Sequence, residues 1–267
     1  RALGRLELDT AGAAAGAREW RIQRLALLRP EARLQASGAW SAAPQPHLAL
    51  DLALQVSDGG ELLAQWGLGR VLRGGKGELR GRLGWKGSPL EPPGLQLDGD
   101  LHLALGEGQI LKVEPGGAGR LLGIMSLQSL PRRLTLDFRD VFQEGFSFDD
   151  LTGDIRLADG VAHTTNLRLR GVQAAVLLEG QADLLRETQD LHLVVVPEIN
   201  AGTASLAYAA INPVIGLGTF LAQYLLRQPL QQAGTREFRV HGPWDKPQVD
   251  PVERRAAPAA ASDAAAR

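Results

Sequence analysis

The sequence contains no cysteine, which excludes disulfides, thiol nucleophiles and cysteine-ligated metals. It also has no excess of either charge, because 29 Lys and Arg residues against 30 Asp and Glu residues leave a net charge of −1. A nucleic-acid-binding protein needs a basic surface, so this balance argues against such a partner. Aromatic residues are only 5% of the 267 residues. A closed two-layer sandwich normally interdigitates bulky Val, Ile and aromatic side chains, and these are scarce here.

Leucine supplies most of the apolar character, with 46 residues. The chain also has 32 glycines and 15 prolines, a share above the roughly 12% that is average for the two together. Abundant leucine and glycine with little Met or aromatic content is typical of many short strands joined by turns.

Apolar and polar residues alternate with period two along most of the chain. In residues 48–55 leucine occupies every second position, and apolar residues of several types alternate with polar ones in 134–138, 161–169 and 174–184. Glycine-containing turns separate these runs, without long helical segments between most of them. The alternation predicts a mainly β fold, an antiparallel meander in one strongly curved sheet. One face of each strand is large and apolar, and we expect the other to be solvated.

Three segments show helical spacing instead, and we expect short helices near 60–72, 119–129 and 204–227. The last 17 residues, 251–267, are rich in alanine and lack apolar periodicity. Such a composition cannot bury a core, so we expect a disordered C-terminal tail.

Residues 199–226 carry no charge, and three interpretations stay open. The segment could be a transmembrane helix, a buried core helix, or a helix that covers an apolar groove or contacts a bilayer surface. Asn212-Pro213 breaks the helix near its middle, which disfavours a span. The third interpretation assigns groove-cap or membrane contact to the large apolar residues after the break, namely Ile215, Leu217, Phe220, Leu221, Tyr224 and Leu225.

Patterns typical of enzymes are incomplete. Residues 145–149 read Gly-Phe-Ser-Phe-Asp, where a nucleophile elbow needs glycine at the last position. Residues 69–77 resemble a phosphate-binding loop, but Lys76 is followed by Gly77 rather than by Ser or Thr. The five histidines are scattered singly, so the sequence indicates no metal site, and we expect the histidines at surface positions. We therefore expect no catalytic activity, metal or cofactor.

Three blocks of sequence carry a family resemblance. The most specific is 119–138, Gly-Arg-Leu-Leu-Gly-Ile-Met-Ser-Leu-Gln-Ser-Leu-Pro-Arg-Arg-Leu-Thr-Leu-Asp-Phe. The second is 211–218, Ile-Asn-Pro-Val-Ile-Gly-Leu-Gly, and the third is 240–247, with its Gly-Pro-Trp-x-x-Pro ending. With these blocks, residues 62–249 resemble the C-terminal region of the AsmA-like proteins, in the branch of very large bacterial members. The region before Leu62 shows only generic alternation.

The resemblance implies a long β-sheet curled into an open apolar groove that conducts phospholipid acyl chains without catalysis. It implies a periplasmic location in a Gram-negative envelope, a role in outer-membrane integrity and contact with a membrane surface. Because the chain begins at Arg1 rather than Met, we expect it to be part of a longer protein, with its inner-membrane anchor helix in a missing N-terminal part.

Residues 1–60 would then add strands to the groove, 61–250 would form the AsmA-like region with a helical segment at about 203–227, and 251–267 would be the tail. The alternation places the expected groove lining at Leu134, Leu136, Phe138, Leu167, Leu169, Val176 and Leu178. A different kind of function stays open as well. The chain could be a structural scaffold or biogenesis factor that binds an outer-membrane or other envelope protein through a sheet edge.

Overall fold

The computed structural model describes residues 4–12, 19–42, 45–65, 71–88, 97–111, 145–197 and 236–252. Within these ranges the chain forms strands with one short helix between the fourth and fifth strands. The elements are β1 (Arg5–Gly12), β2 (Glu19–Leu28), β3 (Ala32–Ser41), β4 (His47–Val56), α1 (Gly59–Gln65), β5 (Leu72–Gly74), β6 (Gly77–Lys86), β7 (Leu97–Leu105), β8 (Gly108–Ile110), β9 (Phe146–Phe148), β10 (Asp150–Ala158), β11 (Val161–Arg170), β12 (Ala174–Asp183), β13 (Thr188–Pro197), β14 (Arg236–Pro243) and β15 (Gln248–Pro251).

Most strands belong to one 12-stranded sheet in the order β1-β2-β3-β4-β6-β7-β10-β11-β12-β13-β14-β15. Every described neighbour in it is antiparallel, which confirms the mainly antiparallel β fold. Among the described strands β1 and β15 are the two edges and do not pair with each other, so this sheet is open. The remaining strands form a three-stranded sheet, β5-β8-β9. The sequence did not predict this second sheet, because its strands have three residues each, too few to show a period.

Two bulges keep apolar side chains on one face where the spacing in the sequence is odd. The β2–β3 register shifts between Ile22 and Leu25, and the β11–β12 register shifts between Thr164 and Leu167. One extra residue at each place restores the direction of the side chains after it. As a result, Ile22 and Leu25 both face the apolar side of the sheet.

Glycine allows a close approach between β6 and β7. Gly81 and Gly99 have φ of 147° and 155°, values that residues with a side chain rarely adopt. A Cβ atom on Gly81 would stand 2.0 Å from the carbonyl oxygen of Asp100, and one on Gly99 would stand 2.1 Å from that of Arg82. Both positions therefore require glycine to keep the strands paired.

Helix α1 begins at an Asp58 cap and is shorter than predicted. The Asp58 side chain accepts a hydrogen bond from the Glu61 amide at 3.0 Å, as an N-cap residue does. The sequence predicted a helix over 60–72, but Leu72 pairs with Ile110 in the β5–β8 ladder. Pairing with a distant strand thus overrides the helical spacing at that end. The other two predicted helices, 119–129 and 204–227, lie outside the described residues.

The C-terminal boundary also differs from the prediction. Pro251, expected as the first residue of the tail, is the last residue of β15 and pairs with Phe238. Its place in an edge strand suits a residue that has no amide hydrogen to donate. Residues 253–267 lie outside the described part of the chain.

The expectation that the second face is solvated fails on β12 and β13. Ala175, Leu177, Val194 and Val196 point away from the apolar face, yet none is more than 2% exposed. The run from Val194 to Val196 carries no polar residue, which is typical of a strand buried on both faces.

Candidate functional site

A row of apolar side chains crosses the whole 12-stranded sheet. We call it the leucine row. Its members lie directly opposite one another on successive strands, and leucine occupies every strand except β10, β14 and β15. The row consists of Leu6, Leu27, Leu34, Leu54, Leu79, Leu103, Gly153, Leu167, Leu178, Leu193, Phe238 and Pro251. The side of the sheet that carries this row is called the apolar face below.

Small residues lie beside the leucine row on the same face. The next two rows lie farther from the β2–β3 turn than the leucine row does. They include Ala36, Gly38, Gly81, Gly99 and Gly180. These positions alternate with leucines such as Leu50, Leu52 and Leu101.

A cap covers one end of the strands on this face. The cap consists of helix α1 and the three-stranded sheet, which contribute Leu62, Leu72, Ile110, Phe146 and Phe148 to a cluster with residues of the large sheet. The two phenylalanines are 1% and 3% exposed. The cap therefore closes this end of the face as a conventional hydrophobic core.

The other end of the strands carries a tryptophan rim, formed by Trp20, Trp40, Leu48, Trp85 and Leu97. These residues follow one another across β2, β3, β4, β6 and β7 in direct register. The indole nitrogen of Trp40 donates to the carbonyl of Gly87 at 2.8 Å, and that of Trp85 donates to Ser88 at 3.5 Å. All three indoles are half-buried, in contrast to the phenylalanines of the cap.

The structure brings together the four predicted groove residues that it describes. Leu167 lies opposite Leu178, and Leu169 lies opposite Val176, on adjacent strands β11 and β12. Leu167 and Leu178 are half-buried, whereas Leu169 and Val176 are 6% and 5% exposed and belong to the cluster under the cap. The other predicted residues lie outside the described part of the chain, namely Leu134, Leu136, Phe138, Ile215, Leu217, Phe220, Leu221, Tyr224 and Leu225.

Sequence reasoning missed most members of the leucine row, and also the rim and the cap. Leu54, Leu79 and Leu103 each stood in an alternating run, and the alternation assigned each to an apolar face. What was missing was the register between strands, because a pattern along one strand does not say which residues lie opposite each other.

The opposite face carries cross-strand polar contacts. Asp154 on β10 lies 2.7 Å from His102 Nδ1 on β7, and Asn166 on β11 donates to its other carboxylate oxygen at 2.7 Å. These bonds, first that of His102 and then that of Asn166, lower the pKa of Asp154. A bidentate hydrogen bond from Arg239, with both distances 2.8 Å, lowers the pKa of Asp190 in the same way.

An open cavity of about 630 Å³ lies on this polar face over β11 to β14. Its lining includes Glu179, Asp190, His192 and Arg239. These groups are engaged with neighbours, since Asp190 binds Arg239 and the two nitrogens of His192 lie 3.6 and 3.5 Å from carboxylates of Glu179 and Glu237. In the described ranges, no three His, Asp or Glu side chains are grouped to hold a metal ion.

The two incomplete enzyme motifs lie in settings unlike those that their chemistry needs. Ser147 is an exposed residue in the middle of β9, between two buried phenylalanines, rather than at a strand-to-helix elbow. Lys76 lies in the turn between β5 and β6, after Gly74 and Gly75 with positive φ. A phosphate loop would lead into a helix, and here a strand follows.

Membrane-crossing helices were sought in the same part of the chain. None of the helical residues described forms a segment with the length and apolar character that crossing a bilayer requires. The uncharged segment 199–226 lies outside that search.

Comparison with known proteins shows which sequences this chain resembles. A family model described as YhdP protein matches residues 1–249, so the likeness includes the first 61 residues, where the sequence showed only generic alternation. Over 172 residues, or 64% of the chain, the sequence is 36% identical to the intermembrane phospholipid transporter YhdP of Escherichia coli (strain K12). The matched part is 14% of that relative's length. No solved structure matches. These matches confirm the resemblance found in the sequence, and the chain belongs to the YhdP protein family.

Proposed function

We propose that this chain is a lipid-conducting module whose apolar face holds the acyl chains of phospholipids as they move between membranes. The observation that carries the proposal is the leucine row, which runs across all strands of the 12-stranded sheet without a charged side chain. The phospholipid transport named for the E. coli relative supports the same substrate class. No catalytic step is part of this function.

The size of the face suits a path better than a single binding pocket. Neighbouring strands are about 4.8 Å apart, so a row across twelve strands is on the order of 50 Å long. One leaflet of a bilayer has a hydrocarbon thickness of about 15 Å, half of the roughly 30 Å core. A lipid that lies along the strands covers only part of this length, so the row has room for several lipids side by side along one surface.

The free energy of moving an acyl chain also favours a face without polar binding groups. Exposing one methylene to water costs about 0.8 kcal/mol, so an acyl chain cannot cross water unprotected. A leucine-lined surface replaces the hydrocarbon of the bilayer by similar side chains. Transfer from membrane to protein is then nearly neutral in free energy, and lipid can slide between stations of equal affinity.

In this proposal the sheet is curved around the apolar face into an open groove, and Leu167 and Leu178 line its floor. The predicted residues at 134–138 add to the lining, and those at 215–225 cover the groove mouth or contact a membrane surface. The groove lies in the periplasm of a Gram-negative envelope, where lipid delivery sustains outer-membrane integrity. The match spans 14% of the relative's length, and an inner-membrane anchor helix in the full-length protein is part of the same proposal.

An exposed edge supports a second candidate function, a scaffold that binds an envelope protein. Among the described strands β1 pairs only with β2, and its Leu6 and Leu8 are 62% and 50% exposed. An edge strand with exposed apolar residues can accept a strand from a partner. This role needs no lipid, so lipid content separates the two candidates.

The test is lipid bound to the purified chain, measured by mass spectrometry after expression in the bacterial periplasm. We expect phospholipid to co-purify with the wild-type chain. Leu54→Asp should reduce the bound lipid severalfold, because its carboxylate would project from the apolar face where an acyl chain lies. Gln55→Asp, one residue away on the exposed opposite face, is the matched control and should retain lipid. Thermal unfolding of both variants shows that each is folded.

Absence of phospholipid from the folded wild-type chain would contradict the proposal and favour the scaffold. Equal lipid in Leu54→Asp and Gln55→Asp would show that the apolar face is not where lipid binds.

A further inference from the structure

The apolar face ends differently at the two ends of its strands. At one end the cap buries Phe146 and Phe148 almost completely, and the neighbouring Leu105, Leu151 and Leu169 are at most 9% exposed. At the other end Trp20, Trp40 and Trp85 remain half-buried and form the outermost apolar row. A lipid lying across this face would thus meet a closed wall on one side and indole rings on the other.

The indoles are held in a defined orientation. Trp40 and Trp85 flank Leu48 in register and pack against the small buried cluster of Ile22, Leu48 and Leu50. Their ring nitrogens donate outward to carbonyls of Gly87 and Ser88, at the end of β6 and just beyond it. The hydrocarbon part of each ring therefore lies toward the apolar face, and the polar edge lies toward the turn.

Tryptophan favours the boundary between hydrocarbon and headgroups, because one edge of the indole is polar and the rest is apolar. The strand ends next to the rim add exposed charges of both signs. Arg21 lies 4.0 Å from Glu19, and Lys86 lies 3.6 Å from Asp159, with all four side chains more than half exposed. Because Arg21 and Lys86 directly follow Trp20 and Trp85, their side chains point to the opposite face of the sheet, and the indoles alone form this edge of the apolar face.

We propose that the tryptophan rim binds the headgroup side of a phospholipid, while the acyl chains point across the leucine row toward the cap. This inference rests on the proposed function and adds an orientation to it. The lipid lies along the strands, with its headgroup at the tryptophan rim. The rim on β2 to β7 is then the edge of the path that faces water, and the cap is the edge closed to water.

The absence of cysteine allows single labels to be placed without background. Leu97 and Leu103 lie on the same face of β7, roughly 20 Å apart along the strand, the first on the rim and the second in the leucine row. A bimane fluorophore is attached to Leu97→Cys or Leu103→Cys in the full 267-residue chain. Asp100→Cys, exposed on the opposite face, serves as the background control.

Each labelled chain is loaded with phosphatidylcholine that carries a nitroxide quencher either on the headgroup or at carbon 12 of an acyl chain. At Leu97 we expect the headgroup nitroxide to quench about twofold more than the chain nitroxide, and at Leu103 the reverse, because of the roughly 20 Å between the two positions. The same ratio at both positions, or the opposite order, would overturn the orientation while leaving lipid binding intact. No quenching at either position would overturn the proposed function, and the orientation with it.

The part played by the indoles is tested by Trp85→Leu, which keeps an apolar side chain but removes the polar edge. In this background the quenching ratio at Leu97 should fall toward one, while the total quenching at Leu103 persists. An unchanged ratio at Leu97 would show that the tryptophan rim does not hold the headgroup.

Discussion

The aromatic ring of Phe146 lies so close to Gly171 that a Cβ atom on this glycine would stand 2.7 Å from the ring Cζ. A similar relationship holds between Phe148 and Gly108, where the distance would be 2.5 Å. Two glycines thus make room for the two rings that the cap inserts into the core. Close packing against the two glycines and burial of both rings hold the cap in place, and the cap closes one end of the apolar face.

Phe146→Ala and Phe148→Ala should each destabilise the chain by about 3–5 kcal/mol, because each leaves a cavity in a fully buried cluster. Ser147 lies between them on the exposed side of β9, so Ser147→Ala should change the stability by no more than about 0.5 kcal/mol. Urea unfolding measures all three. A loss below about 1 kcal/mol for both phenylalanine variants would mean that the cap is not packed on the sheet.

Gly81→Ala should lower the free energy of unfolding by about 2 kcal/mol or more, because φ is 147° and the new Cβ would stand 2.0 Å from the Asp100 carbonyl oxygen. Gly106→Ala is the matched control, since the nearest neighbour of its new Cβ atom, the Lys76 carbonyl oxygen, would be 3.4 Å away. We expect the control to lose less than about 1 kcal/mol. Equal urea midpoints for the two variants would contradict the close pairing of β6 and β7.

Asp154 should make stability depend on pH. Hydrogen bonds from His102 and Asn166 lower its pKa in the folded chain below the value of about 4 for an unfolded chain. The carboxylate therefore stabilises the fold above that value, and this contribution is lost as the pH falls through the lowered pKa. The effect is small because the side chain is 61% exposed.

Melting temperatures of wild type and Asp154→Asn, measured from about pH 5 to about pH 3, check this expectation. The wild type should be the more stable at the upper end, and the difference should shrink toward the lower end. Asp245→Asn, at an exposed turn position, is the control and should follow the wild type throughout. A difference that is constant with pH would show that the contacts of Asp154 do not favour its charged form.

The alternation in the sequence was enough to predict the fold class and many strands. The run from Leu48 to Leu54, for example, is β4, and its leucines do lie on one face. Leu167 was assigned to one face with Leu169, and Val176 to one face with Leu178, and the structure sets the two pairs opposite each other on adjacent strands. These successes have one cause, because a period of two is a property of a single strand and is visible without knowledge of its neighbours.

Features that depend on contacts between distant segments could not be predicted in the same way. Leu72 had helical spacing but pairs with Ile110, and the sequence around Phe146 and Phe148 gave no sign of a separate sheet. The rim required the register of Trp20 with Trp40 and of Leu48 with Trp85. Register follows from turns, bulges and burial together, so it is a property of the folded sheet.

The most direct test of the central claim is photo-crosslinking of lipid along the leucine row. Benzophenone is attached to single cysteines at Leu34, Leu103 or Leu178, on β3, β7 and β12, and at the exposed outward-facing Gln35 or Arg156 as controls. After irradiation in the presence of phospholipid vesicles, mass spectrometry identifies lipid adducts. A continuous path predicts adducts at all three leucine positions and none at the controls. Adducts confined to one strand, or equally frequent on both faces, would contradict it.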